Sequence, residues 1–314
     1  MRRRFLLATS ALLLFTGWTL LVTAQQPAGK DQPRPKAEQP ARGAFEVRRD
    51  VEYGRAGDKP LTLDVYGPKD RKAEKLPVIV WIHGGGWRAG NKSSGGRLTP
   101  FVASGNYVGV SVGYRLSGEA IWPAQIHDCK AAIRWVRANA EQLGIDPDKI
   151  GVWGNSAGGH LVSLLGTSGG VAELEGENGS ADASSRVTCV VDFCGPTDMA
   201  RMRHSAVDEL FGKPLEEREA EAKAASPVTH VTKDDPPTLI VHGTKDGTVP
   251  IEQADLFYEK LKQTGVDVHR VTIEGGGHGI GGAEVMRRVA EFFEKHLRGQ
   301  DVAVEDAVIK AENR

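Results

Sequence analysis

The pattern Gly-x-Ser-x-Gly occurs three times in this 314-residue chain, around Ser111 (Gly109–Gly113), Ser156 (Gly154–Gly158) and Ser168 (Gly166–Gly170). A serine hydroxyl attacks a carbonyl only when a neighbouring imidazole takes its proton. The same chemistry wants the serine on a sharp turn from strand into helix, with its oxygen exposed at the carboxyl edge of a sheet. Glycines flank such a turn because it leaves no room for Cβ atoms. In a chain with 38 glycines the bare pattern carries little weight, so its surroundings must choose. Ser111 lies inside an alternating apolar run that continues past it. Ser168 follows a helical run and opens a Gly-rich loop. Only Ser156 has a strand-like stretch before it, Ile150 to Gly154, and a helix-forming stretch after it, His160 to Leu165.

Nine histidines could supply the base. His278 is singled out by Gly275, Gly276 and Gly277 before it and Gly279 after it, directly past an apolar strand, where a ring can swing over a sheet's edge. The carboxylate that would fix its tautomer is sought after another strand. Asp246, in His242-Gly-Thr-Lys-Asp246, satisfies that and completes the order Ser…Asp…His. Asp198, in Gly195-Pro-Thr-Asp198, is the rival, and a turn or helix-capping role suits it better. Backbone amides able to hold a developing oxyanion are offered by His83-Gly-Gly-Gly-Trp87, after a strand ending at Ile82. Two of Gly84, Gly85 and Gly86 would join Ala157, with Gly85 and Gly86 favoured. His83 is expected to hold the loop by a hydrogen bond. No Gly-Lys-Ser/Thr follows the glycines, which removes a phosphate-loop reading.

These residues need a scaffold. Apolar β-rich runs alternate with amphipathic stretches, the mark of a mostly parallel sheet covered by helices on both faces. Phe45 to Tyr53 and Leu61 to Tyr66 read as an antiparallel entry pair. Further strands are expected at Leu76 to Ile82, Tyr107 to Tyr114, Ile150 to Gly154, Val187 to Phe193, Thr238 to His242 and Val268 to Ile273. Helical spacing appears over Ala124 to Ala140, Ile251 to Thr264 and Ala283 to Leu297. The charged stretch Met199 to Asp235, with helix-like Glu216 to Ala225, is the candidate lid.

At the N-terminus, Arg2, Arg3 and Arg4 precede the apolar run Phe5 to Val22 and a small-x-small site at Val22-Thr-Ala24, the signature of a signal peptide over 1–24. Residues 25–44 lack large apolar side chains and read as a disordered linker. A catalytic domain over 45–299 and a polar tail over 300–314 complete the division, with a secreted or periplasmic destination. The net charge of −1, with no basic run past the signal, argues against nucleic acid or an anionic membrane as partner. Cys189 and Cys194 sit five apart in one apparent strand, which points them to opposite faces, and all three cysteines read as buried free thiols. No CxxC or HExxH spacing suggests a metal. Trp87 and Trp122 are read as exposed near the site, with packing as their main work.

With those motifs in order, the chain resembles the α/β-hydrolase esterases and lipases related to hormone-sensitive lipase. It is particularly similar to the branch of bacterial feruloyl and acetylxylan esterases. The likeness rests on His83-Gly-Gly-Gly-Trp-Arg-Ala-Gly90, Tyr114-Arg-Leu116, Trp122-Pro-Ala124, Gly144-Ile-Asp-Pro147, Gly154-Asn-Ser-Ala-Gly-Gly-His160 and His242-Gly-Thr-Lys-Asp246, and covers about residues 50 to 297. It implies an eight-stranded sheet, a Ser156/Asp246/His278 triad, no metal or organic cofactor, and ester substrates. Asn155 stands where many relatives of hormone-sensitive lipase carry Asp, and the N-terminal helical cap of that group has no counterpart here. A small lid over an open cleft suits a bulky or polymer-attached ester. Two other readings stand beside this one: a peptidase resembling the catalytic part of prolyl oligopeptidases, and a binding module that has lost turnover.

Overall fold

The computed structural model describes residues 43–214 and 217–311. The expected signal peptide and nearly all of the expected linker lie outside the described residues. Among the described residues nine strands form one sheet in the order β1-β2-β4-β3-β5-β6-β7-β8-β9. β1 (Phe45–Ala56) and β2 (Lys59–Pro68) make the antiparallel entry pair. β3 (Leu76–Ile82) is followed by a 3-10 turn, Lys92–Leu98, by the short helix α1 (Thr99–Ala103) and by β4 (Val108–Val112). β4 pairs antiparallel with β2 and parallel with β3, and every later pairing is parallel. Helices α2 (Ala124–Ala138) and α3 (Ala140–Leu143) lead to β5 (Ile145–Asn155), then α4 (Ala157–Thr167) to β6 (Cys189–Phe193). Three short helices follow, α5 (Ser205–Phe211), α6 (Glu219–Ala224) and α7 (Pro227–His230), before β7 (Thr238–Gly243). α8 (Glu252–Thr264), β8 (Val268–Glu274), α9 (Ala283–Arg298) and β9 (Ala307–Lys310) close the fold.

β3 shows why the apolar runs are continuous. All seven of its residues are buried, with Val78, Val80 and Ile82 in the core on one face and Ile79 and Trp81 in that on the other. A strand in the middle of a parallel sheet meets helices on both sides and so has no polar face. α2 and α4 cover the first face through Ile126, Ile133, Leu161 and Leu165. α1 and α9 cover the second through Phe101, Val102, Val289, Phe292 and Phe293. Trp153 sits at the centre of that second face. Its ring meets Trp81, Phe101, Phe193 and Phe293 edge-on at centroid separations of 5.0, 5.9, 5.3 and 6.4 Å, the T-shaped geometry that ring quadrupoles favour.

Two expectations are corrected. The sheet has nine strands and not eight, because the tail is not uniformly polar: Ala307–Lys310 pairs with β8 in parallel. The charges around Val308 and Ile309 hid this short pair in the sequence, yet one of them is what docks it. Asp306 accepts from the Arg270 amide at 2.8 Å and from the Tyr258 hydroxyl. The second correction concerns Cys189 and Cys194, which both lie in the second core and not on opposite faces. β6 ends at Phe193 and Cys194 turns with φ of 45°, which breaks the alternation. All three thiols are free and buried, as expected.

Removing the Trp153 ring would leave a cavity that its rigid neighbours cannot fill. The Trp153→Ala variant is expected to lose about 3–5 kcal/mol of stability, read as a lower urea midpoint at unchanged slope.

Candidate active site

β5 delivers Asn155 and Ser156 to the carboxyl edge of the sheet, where the chain turns at once into α4. The turn is strained: Ser156 has φ of 54° and ψ of −122°, a conformation that costs on the order of 1–3 kcal/mol for a residue with a side chain. The flanking glycines make it possible. A Cβ on Gly154 would lie 2.3 Å from the Gly158 carbonyl, and one on Gly158 would lie 2.1 Å from that of Ile82. The Ser156 amide donates to the Phe193 carbonyl at 2.7 Å, which ties the turn to β6.

His278 comes from the loop after β8, and its Nε2 lies 2.9 Å from Ser156 Oγ. Its Nδ1 lies 2.7 Å from Asp246 Oδ2. The Asp246 side chain is fully buried, and the amides of Thr248 and Val249 donate to its Oδ1 at 2.8 and 2.9 Å. Burial alone would push that carboxyl up. Hydrogen bonds from His242, His278 and the two amides outweigh it and hold the group well below the usual carboxylate range. An ionised, immobile carboxylate fixes the Nδ1–H tautomer and leaves Nε2 free to accept the serine proton. Asp198 is elsewhere, paired with Arg201 at 3.0 Å at the start of a 3-10 turn. Of the other serines, Ser111 donates to the Lys92 carbonyl at 2.7 Å and Ser168 to that of Leu164 at 2.6 Å, both fully buried.

Ser156 and His278 open into a cavity of about 300 Å³. Gly85, Gly86 and Ala157 line it, and Gly84 does not. Gly84 is therefore corrected as an oxyanion donor: its amide is already spent on Asn155 Oδ1 at 3.2 Å. Among the described residues the amides of Gly85 and Gly86 donate to no other protein group. Ala157 opens α4, where an amide has no intrahelical acceptor. His83 holds the loop from below, its ring stacked 4.3 Å from Tyr114 and its Nδ1 2.8 Å from the Gly84 carbonyl, while Tyr114 donates to the His83 carbonyl. The stretch read as a lid forms the cavity's far wall through Met202, His204, Ala206 and Val207. Trp87 and Trp122 are buried, correcting the reading of them as exposed, although Trp87 reaches the cavity wall.

Among the described residues one set of His, Cys and acidic side chains lies close enough to hold a cation: Cys194, Asp246 and His278. Two of its members are committed to the hydrogen bond just described. The third is a thiol that burial holds protonated, its pKa pushed far up.

The profile of the BD-FAE family matches residues 63–261, more than half of the chain and most of this scaffold. The chain belongs to the BD-FAE family. Esterase LipC of Mycobacterium tuberculosis is 34% identical over 260 residues, 79% of this chain and 64% of its own. Across three such mycobacterial relatives the chain spans 50–64% of their length. A carbohydrate esterase from gut microbiota, solved in truncated form, is similar with a TM-score of 0.76 at 34% identity, covering 82% of this chain and 99% of that one. A thermophilic esterase of Thermogutta terrifontis follows with a TM-score of 0.69 at 30% identity over 84% of this chain and 95% of its own.

Sequence reasoning missed one supporting residue of this BD-FAE family site. His160, fully buried in α4, accepts from Trp87 Nε1 at 3.2 Å and donates from Nε2 to the Ala225 carbonyl at 2.7 Å. It thereby joins the glycine loop, the helix behind Ser156 and the lid. Its place four residues after Ser156 was the available signal. Burial holds it neutral, with its pKa drawn from 6.5 down to about 4. Between those values the unfolded chain binds the proton and the folded one refuses it, so stability falls as pH drops through that window. The loss for His160 is about 3 kcal/mol in full. His296, also lowered to about 4, adds with the same sign. Urea midpoints at several pH values between 7 and 4 are expected to decline, and His160→Gln to flatten the decline while lowering stability at pH 7.

Proposed function

We propose that the chain hydrolyses carboxylic esters by acyl transfer through Ser156. The observation that carries this reading is the unbroken line from Ser156 Oγ through His278 to the buried Asp246, at 2.9 and 2.7 Å, beside a cavity lined by Gly85 and Gly86, whose amides have no other protein partner among the described residues. Ser156 Oγ attacks the ester carbonyl while His278 Nε2 takes its proton, and Asp246 stabilises the imidazolium that forms. The oxyanion is received by the Ala157 amide with those of Gly85 and Gly86. His278 then protonates the departing alcohol, and water repeats the cycle on the acyl-enzyme.

A cavity of about 300 Å³ accepts a small acyl group and not a long chain. Arg88 and His204, exposed polar residues, are among those lining it, which suits an alcohol that continues into solvent. Likeness to a gut carbohydrate esterase supports short acyl esters on polysaccharides, acetyl before feruloyl, as the substrates. Export by the N-terminal signal sequence is part of the same proposal, since such substrates lie outside the cell.

p-Nitrophenyl acetate is expected to be turned over faster than the octanoate. Ser156→Ala should lose at least about a thousandfold in kcat and should no longer take a fluorophosphonate label, located by mass spectrometry. A well-folded parent protein that neither turns over esters nor takes the label would instead support the binding-module reading. Faster cleavage of peptide amides than of esters would favour the peptidase.

A further inference from the structure

The loop that carries His278 is rich in glycine, and besides its backbone hydrogen bonds it is held by the buried side chain of Ile280 and by the Cys194 thiol, which donates to the His278 carbonyl at 3.6 Å. Six of the eight residues from 275 to 282 are glycine, so the backbone has more freedom to lose here than in any ordinary loop. On the N-terminal side three bonds restrain it. Gly275 donates to Thr244 Oγ1 at 2.8 Å, Gly276 to the Ile273 carbonyl at 3.0 Å, and Lys245 to the Gly276 carbonyl at 2.7 Å. On the C-terminal side, residues 279–281, one hydrogen bond reaches the rest of the protein among the described residues: Arg97 Nη2 donates to the Ile280 carbonyl at 3.2 Å.

Arg97 is itself held in an unusual way. Among the described residues no carboxylate pairs with it. Its guanidinium lies 5.7 Å from the ring centre of Trp81 in β3 and 6.0 Å from that of Phe193 in β6. Those strands flank β5, which bears Ser156, and Phe193 also receives the Ser156 amide. A planar cation on two aromatic faces is fixed in position while keeping its N–H groups directed outward. We propose that Arg97 is a positioning residue for His278: it pins the C-terminal half of the glycine loop, through the Ile280 carbonyl, to the same strands that fix Ser156. This rests on the reading of Ser156 and His278 as nucleophile and base. Arg97 touches neither the cavity nor the reacting atoms. It acts by keeping His278 Nε2 at bonding distance from Ser156 Oγ, where a displacement of an ångström costs about a hundredfold in rate.

The test compares Arg97→Met, which keeps a stem against Trp81 and Phe193 but lacks the donor, with Arg97→Ala, which leaves room for a guanidinium ion. In the methionine variant kcat for p-nitrophenyl acetate should fall about tenfold or more with KM nearly unchanged, and fluorophosphonate labelling of Ser156 should slow in parallel. Millimolar guanidinium should restore part of the alanine variant's kcat and leave the parent unaffected. Amide hydrogen exchange over 279–281 should quicken in both variants, a readout that needs no turnover. A methionine variant with parental kcat and parental exchange overturns the proposal, and so does a loss confined to thermal stability or one that appears in KM alone. If the parent is inert towards esters and the label, the ester reading fails, and the exchange measurement still decides whether Arg97 pins the loop.

Discussion

Everything in the site is referred to one crowded backbone turn. At Ser156 the chain leaves β5 in a conformation that L-residues avoid, with Gly154 packed on Gly158 and Gly158 on the end of β3. None of these contacts tolerates a methyl group. A turn so strained persists only because its surroundings leave it no alternative, and those surroundings are three neighbouring parallel strands, β3, β5 and β6. The stability of the buried sheet is thus converted into the placement of one hydroxyl. The same three strands bear the proposed oxyanion loop, the proposed nucleophile and the carbonyl that receives the Ser156 amide, so this half of the candidate site is a property of the core and not of loops.

The other half is different in kind. Asp246 and His278 arrive on loops after β7 and β8, ordered by polar contacts together with the packing of Val249 and Ile280. Asp246 is saturated with donors, which keeps it charged although it is buried. His278 is partly exposed among glycines, with both ring nitrogens engaged by Asp246 and Ser156. On the proposed reading, a base that accepts a proton in one step and returns it in the next benefits from a fixed partner behind it.

How much of this could be read beforehand depended on whether the deciding interaction was local in sequence. Ser156 was legible because strand, turn and helix are contiguous, and the same contiguity dismissed Ser111 and Ser168. Asp246 and His278 were legible through strand-then-loop position and the glycines around the histidine. The continuous apolar runs gave the buried parallel strands, since burial on both faces erases alternation. What escaped detection is long-range. That the Gly84 amide is taken follows from Asn155, 71 positions away. That Trp87 is buried follows from His160, 73 positions away. β9 is too short to register as a strand without β8 beside it. Cys189 and Cys194 were misplaced because a left-handed residue at the end of β6 resets the alternation, and nothing in the type of residue at 194 announces it.

The three cysteines bear on the protein's chemistry in another way. None is cross-linked, all are walled in, and burial keeps each thiol protonated. The sulfurs of Cys129 and Cys189 serve as apolar volume. Reagents selective for thiolates therefore find no target in the folded protein, even though the Cys194 thiol donates a hydrogen bond to the His278 carbonyl at 3.6 Å. On the proposed reading Ser156 Oγ is the reactive nucleophile beside that loop, so alkylating agents and acylating agents would address separate states of the molecule: the first would report unfolding, the second the assembled site.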